Sequence, residues 1–234
     1  MSVLYLYAVV GDLARRDVGR GLRREPLRIV PGRGFQVVVG RMGAAPDATP
    51  VTLRRHDAVV RRLAGAVDAI LPVRFGSVVP DDDTVARLLS PRAIELAGRL
   101  VHVRGHEQMT LRLYGPRRSA LGPTSGRAPG TDPAVGARLG PGARYLAARN
   151  RLLRTALAPE LDPVRPLLHE LVADERIQRH ATPPLLVSVY HLVRRDRRAR
   201  YRLRVAQAAT RLAPLRLTVS GPWPPYAFGA DSWP

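Results

Sequence analysis

"RRDRRARYRLRVAQAATRL", residues 194–212, admits two readings, and the fold turns on which is taken. From Arg200 to Val205 charged and apolar residues alternate, as along a half-buried strand. Over the longer window Tyr201, Val205, Ala208 and Leu212 fall at i, i+4, i+7 and i+11, the spacing of a single helix face. The longer register wins and predicts a helix.

Both flanks of that helix read as strands. "PPLLVSVYHLV" (183–193) precedes it and "LRLTVSG" (215–221) follows it. Further upstream "EQMTLRLYG" (107–115) alternates Met109, Leu111 and Leu113 with polar neighbours, again a strand. Residues 115–142 are rich in Gly and Pro with almost no large apolar side chain, the composition of a loop or flexible insertion without its own core. "ARYLAARNRLLRTALA" (143–158) restores helical patterning, which Pro159 ends. Asp162 is then expected to cap a second helix, with Pro163 at its first position, running through "LLHELVADERIQRH" (167–180). The order strand, helix, helix, strand, helix, strand predicts a ferredoxin-like α/β sandwich.

The first hundred residues have their own alternation. "VLYLYAVV" (3–10) is a buried strand, and "LRIVPGRGFQVVVG" (27–40) is two β-rich runs around a Pro-Gly turn, a hairpin. In "TLRRHDAVVRRLAGAVDAIL" (52–71), Val59, Val60, Leu63, Val67 and Ile70 recur at helical spacing. "VRFGSVV" (73–79) returns to strand composition. "PDDDTVARLLSPRAIELAGRL" (80–100) is a helix with acids at its N-terminus and a break at Pro91. The expected fold class is α+β. An N-terminal α/β domain spans residues 1–105 and a C-terminal ferredoxin-like domain spans 106–219 with the 115–142 insertion. A Pro- and aromatic-rich tail, 220–234, packs back on them.

Composition narrows the function. With 234 residues and 45% apolar content the chain is long enough to bury a core. No apolar run reaches the ~20 residues needed to cross a bilayer. The first residues lack a basic n-region and a small-residue cleavage site, so the expectation is a cytoplasmic protein. Cysteine is absent, which excludes disulfides, thiolate nucleophiles and Cys-ligated metals. All 38 basic residues are arginine, which excludes Schiff-base chemistry and a P-loop lysine. The net charge of +19 is uneven: residues 1–100 carry 16 Arg against 10 acids, and 101–234 carry 22 against 9. Arg194, Arg195, Arg197, Arg198, Arg200, Arg202 and Arg204 form the densest run. Such a run gives non-specific affinity for polyanions, suits an acidic partner, or is a solvated helix face.

No constellation points to catalysis. Asp81, Asp82 and Asp83 sit where acids cap a helix, and a metal there would need further acids nearby. His102 and His106 share a face, but the order with Glu107 is not that of a zinc-binding helix. Ser77 and Ser220 lack the glycine-flanked turn of a hydrolase nucleophile, and no glycine loop has dinucleotide-binding spacing. No catalytic residue, cofactor site or metal site is assigned.

Two stretches exceed what a generic core needs. In "LPVRFGSVV" (71–79), Pro72, Arg74 and Gly76 interrupt a strand, and Arg74 among apolar neighbours predicts a buried or interface ion pair. In "SGPWPPYAFG" (220–229), a protein with only 2 Trp, 7 Tyr and 3 Phe places Trp223, Tyr226 and Phe228 on a proline-stiffened tail. These stretches resemble, in this order, the GvpL/GvpF family of gas vesicle proteins. The resemblance extends through "YLYAVV", "RRHDAVVRRL" with a matching His56, "LVHVRGHEQMTLRLYG" and "GARYLAARNRLL". It departs at Ala227, where the family usually has Ser, and it omits 115–142. It implies a non-enzymatic structural or assembly component of gas vesicles, which are cytoplasmic protein-walled organelles. The implied partners are the hydrophobic shell protein GvpA and other accessory Gvp proteins. It further implies two α/β domains, the second ferredoxin-like, with a tail that packs back.

Pro222, Pro224 and Pro225 fix φ and reduce the entropy lost on docking. Each buried ring contributes roughly 2–3 kcal/mol. The tail is therefore expected to clamp a surface, either the protein's own body or another Gvp subunit, and the same choice applies to Arg74, Phe75 and Gly76. The competing reading is a nucleic-acid-binding module built on the 194–204 arginines, which calls for aromatic residues interleaved with them. Tyr201 alone is so placed.

Overall fold

The computed structural model describes residues 2–13, 18–116 and 158–229. The predicted insertion lies almost wholly outside these residues, and so does nearly all of the predicted helix over 143–158. The chain forms a mixed α/β structure with two antiparallel sheets.

The first sheet is built on β1 (Val3–Val10). Tyr5 and Tyr7 point to one face and Leu4 and Leu6 to the other, and both faces are covered, which is why the strand is apolar at every position. β2 (Leu27–Pro31) and β3 (Gln36–Met42) form the expected hairpin, and β3 pairs with β1. α1 (Pro50–Ala66) starts at a capping box in which the Thr49 and Thr52 side chains bond each other's backbone amides. It buries His56, Val59, Val60 and Leu63 against the tyrosine face. The helix stops earlier than its periodicity predicts. Val67 is already extended, with φ −132°, and Ile70 opens β4 (Ile70–Pro72), which pairs with β1.

The predicted strand over 73–79 is a correction. β4 ends at Pro72, residues 74–77 turn, and only Val78–Val79 (β5) rejoin β1. Gly76 adopts φ +89°, a conformation open to glycine that breaks strand geometry. α2 (Asp82–Leu89) is capped by Asp81, whose Oδ1 accepts from Thr84 N at 2.8 Å. After a 3-10 turn at Ser90–Arg92, α3 (Ala93–Val103) covers the other face of the sheet with Leu96, Leu100 and Val103.

The second sheet has the order β7-β8-β6-β9, antiparallel throughout. Its strands are β6 (His106–Tyr114), β7 (Val172–Arg179), β8 (Leu185–Arg194) and β9 (Arg216–Trp223). Here lies the second correction. The predicted helix through 167–180 is a short helix, α4 (Arg165–Leu168), a 3-10 turn and then strand β7. Asp162 caps no helix; its Oδ1 accepts from Arg165 at 2.7 Å. Helical spacing holds for Leu168 and Leu171 only. Beyond them Ile177 pairs with Val189 of β8, and Asp174, Glu175, Arg176 and Arg179 make β7 a charged edge strand. Charges on an edge keep it from pairing with another chain, and at this density they hide the period of two.

The fold-deciding run is a helix. α5 (Arg198–Ala209) follows a 3-10 turn at Arg195–Arg197 and buries Tyr201, Val205 and Ala208, with Leu212 beyond it in the same core. The described residues close with α6 (Tyr226–Gly229). No helix among the described residues is long and apolar enough to cross a membrane.

Candidate interaction surface at the seam of the two sheets

β9 delivers the tail across β6 and onto the first sheet. Gly221 makes the crossing possible: it has φ +117°, and a Cβ there would lie 2.8 Å from Gln108 O. Pro224 and Pro225 are buried, and α6 packs on β4 and α3. Phe228 is 4% exposed and joins the core that contains Leu71, Val73, Leu100 and Leu192. Ala227 N donates to Gln108 Oε1 at 2.8 Å. A Cβ on Gly229 would meet Pro72 O at 3.3 Å, so backbone approaches backbone at the end of the tail.

A circuit of four side chains closes around Asp57 on α1. Tyr226 Oη donates to Asp57 Oδ1 at 3.0 Å, and Arg61 Nε donates to Asp57 Oδ2 at 2.6 Å. The Arg61 guanidinium lies 4.1 Å from the centroid of the Trp223 ring, a cation–π contact. Burial, with the Asp57 carboxylate beside it, pushes the Tyr226 hydroxyl well above the usual phenol range, so it remains a donor. Asp57 and Gln108 escape a reading of the sequence: an Asp and an Arg four apart on a helix look like a solvated ion pair.

Beside this circuit a cleft of about 310 Å³ opens, lined by Arg61, Ile70, Glu107, Arg195, Trp223 and Pro225 among others. Glu107 is buried, with Oε2 3.4 Å from Arg198 Nη1 and Oε1 without a partner among the described residues. Burial pushes its carboxyl above the usual range, against the pull of Arg198, Arg195 and Arg202. Arg195 Nη2 donates to the carbonyls of Ala64 and Val67, both at 3.0 Å. A guanidinium there satisfies the last free carbonyls of α1 and complements its dipole.

The seven arginines of the basic run are mostly engaged within the molecule. Arg194 pairs with Asp196 at 2.9 Å, Arg197 Nη1 donates to Glu170 O at 3.1 Å, and Arg204 Nη1 donates to Gln207 Oε1 at 3.2 Å. Arg202 donates to Gly221 O, holding the bend into the tail. Arg195 and Arg198 are the two just described. Arg200 is exposed and makes no such bond among the described residues.

The other predicted residues separate. Arg74 is exposed in the turn after β4 and forms no ion pair among the described residues, so the expectation of a buried pair within the chain is corrected. Its placement follows from the break at Gly76, which turns the chain out of the sheet. Phe75 is half-buried and meets Tyr5 and His56 edge-on, at 6.1 and 5.5 Å between centroids. His56 is 4% exposed, its Nδ1 is 2.9 Å from Tyr5 Oη, and it stacks on Tyr7. Burial lowers its pKa to about 4, so the ring is neutral. Tyr7 Oη donates in turn to Glu25 and accepts from Leu22 N at 2.8 Å. His102 and His106 do not converge: His102 Nε2 is 3.1 Å from Asp174 Oδ2, and His106 Nδ1 is bonded to Arg104 O at 2.7 Å. Among the described residues no three His, Asp or Glu side chains are grouped to hold a metal ion.

Comparison with known proteins gives the frame for this geometry. The family described as "Gas vesicle synthesis protein GvpL/GvpF" matches residues 3–230. No curated protein matches the sequence. Among solved structures, the gas vesicle protein GvpF from Anabaena sp. PCC7120 is similar in fold, with TM-score 0.71 and 17% identity over 98% of this chain and 96% of that one. GvpF from Microcystis aeruginosa gives TM-score 0.71 and 17% identity over 97% of this chain and 98% of that one.

Proposed function

Because the chain belongs to the gas vesicle synthesis protein GvpL/GvpF family, we propose that it is a non-enzymatic component of gas vesicle assembly, resident at the gas vesicle. In this reading it binds the hydrophobic shell protein GvpA and other accessory Gvp proteins. The observation that carries the reading is the extent of the family match, residues 3–230, which takes in both sheets and the tail up to Gly229.

Within it we assign a domain over residues 1–105 and a second over 106–219, with the tail as the tie between them. Strands β6, β7, β8 and β9 in the sheet order second-third-first-fourth support a ferredoxin-like second domain. The Asp57 circuit and the burial of Phe228 support a clamp in cis: ordering the tail on its own chain fixes the two sheets relative to each other before any partner arrives. Trp223, half-buried beside the cleft, remains the part of the tail that a partner reaches.

The engaged arginines weigh against the nucleic-acid reading. Arg194 and Arg198 face carboxylates, and Arg195, Arg197 and Arg202 are held on backbone carbonyls, so most of the run is fixed against its own molecule rather than extended toward a polyanion. Deletion of the gene in a gas-vesicle-forming host tests the proposal. Loss of vesicles by electron microscopy, restored by the wild-type gene, is the expected result; normal vesicle number and shape would refute it.

A further inference from the structure

Resting on that reading, we propose that the cleft beside Trp223 is a socket for one neutral aromatic side chain that donates a hydrogen bond, Tyr or Trp, supplied by a partner protein. Its apolar lining is Ala64 of α1 and Ile70 of β4 with Pro222, Trp223, Pro224 and Pro225 of the tail. Three prolines with fixed φ keep the tail side of the cleft rigid. At about 310 Å³ the cleft is at the small end of ligand sites, which start near 300 Å³. It has room for one ring and its attachment, whereas a helix is about 10 Å across. The α1 side is open: Gly65 lines the cleft, is exposed, and a Cβ placed on it meets nothing within 4 Å.

Glu107 decides what the ring must carry. It lines the cleft, and its side chain is 11% exposed. Its Oε2 lies 3.4 Å from Arg198 Nη1, long for a charge-assisted bond, and its Oε1 has no donor among the described residues. An ionised carboxylate offers about four acceptor sites, and a buried acceptor left unmet is destabilising. Held weakly at one oxygen, the carboxylate turns its free oxygen to a donor that enters the cleft. A Lys or Arg side chain is disfavoured there twice. Arg195, Arg198 and Arg202 already act on Glu107, and the Arg61 guanidinium already occupies a face of Trp223, 4.1 Å from its centroid. An ionised acid has no proton to donate. Ser, Thr, Asn and Gln donate but have too little apolar surface to cover Ile70 and the prolines, while Leu and Phe cover them and donate nothing. Tyr and Trp join a large apolar ring to a neutral donor, and both are enriched among the anchors of protein interfaces.

NMR titration of the full chain tests the assignment. The probes are N-acetyl-tyrosinamide and N-acetyl-phenylalaninamide, then N-acetyl-tryptophanamide and its indole N-methyl derivative. The readout is the Trp223 indole N–H signal, assigned by its loss in Trp223→Phe. The donor-bearing member of each pair is expected to bind about tenfold tighter than its partner. Glu107→Met, folded by circular dichroism, is expected to bring the two members of each pair to equal affinity. Gly65→Leu, at an exposed helix position, is expected to block the cleft and weaken binding of all four by about tenfold or more. Equal affinity of the paired probes for wild type, no shift of the Trp223 signal, a donor preference that survives Glu107→Met, or binding unchanged by Gly65→Leu overturns the socket. Deletion of the gene separates this from the functional reading. Normal vesicles with the donor preference intact overturn that reading and leave the socket; lost vesicles without the preference overturn the socket and leave the reading.

Discussion

Tyr226 donates to Asp57 across 169 residues of sequence, at 3.0 Å, and in doing so joins α6 to α1. Asp57 is held from its other side by Arg61, which in turn lies on Trp223. Removing any one member leaves a neighbour with a changed charge environment, so these four residues act as a unit. Tyr226→Phe is expected to lower stability by about 1–2 kcal/mol. A double-mutant cycle with Asp57→Asn in urea denaturation should show coupling of about 0.5 kcal/mol or more. Strict additivity would mean that the contact contributes nothing.

Phe228 carries the larger share of the tail's attachment. Its ring sits among residues of both sheets, Leu71 and Leu192 included. Phe228→Ala is expected to destabilise by about 3–5 kcal/mol, with Ala227 N and Gln108 exchanging amide hydrogen together with the tail. A loss near the value for a surface residue, about 0.5 kcal/mol, would remove the tail from the core.

His56 makes stability depend on pH. Its folded pKa is about 4 against 6.5 for the free side chain, so between these values the unfolded chain binds a proton that the folded one refuses. Stability is therefore full above the unfolded value, falls as pH drops through this window, and flattens below the folded value. The loss is on the order of 3 kcal/mol. Chemical denaturation at a series of pH values should give this slope in wild type and lose it in His56→Phe. A slope unchanged by the substitution would assign it to other groups.

The arginines of 194–204 are expected to behave unequally. Arg195→Ala frees the Ala64 and Val67 carbonyls and should cost about 1–2 kcal/mol. Arg200→Ala, at an exposed position, should change stability by less than about 0.5 kcal/mol. Thermal melts of the two variants, run side by side, check the order.

How legible was this in the sequence? The helix over 198–209 was, because Tyr201, Val205 and Ala208 keep one face over about two turns. The β2–β3 hairpin was, because apolar runs flank a Pro-Gly turn. β7 was not: Glu175 reads as a surface acid in the sequence, yet its carboxylate turns inward to His191 Nε2 at 2.9 Å. The break after Pro72 was not, since Val73 and Val78 look like one strand unless the φ of Gly76 is known. In the seam, the aromatic half was visible in "SGPWPPYAFG" and the polar half was not. Asp57, Gln108 and Glu107 acquire their roles only when α1, β6 and β9 meet, and nothing in their own segments marks that meeting.

The most direct test of the account is a capture experiment with purified, tagged GvpA and this chain, run at low salt and at about 1 M salt, where the screening length is about 3 Å. Wild type is compared with Trp223→Ala and with a variant neutralised at Arg194, Arg195, Arg197 and Arg198. The account predicts capture that survives high salt in wild type and weakens in folded Trp223→Ala. Absence of capture at both salts, with salt-sensitive retention of RNA that the neutralised variant loses, would contradict it.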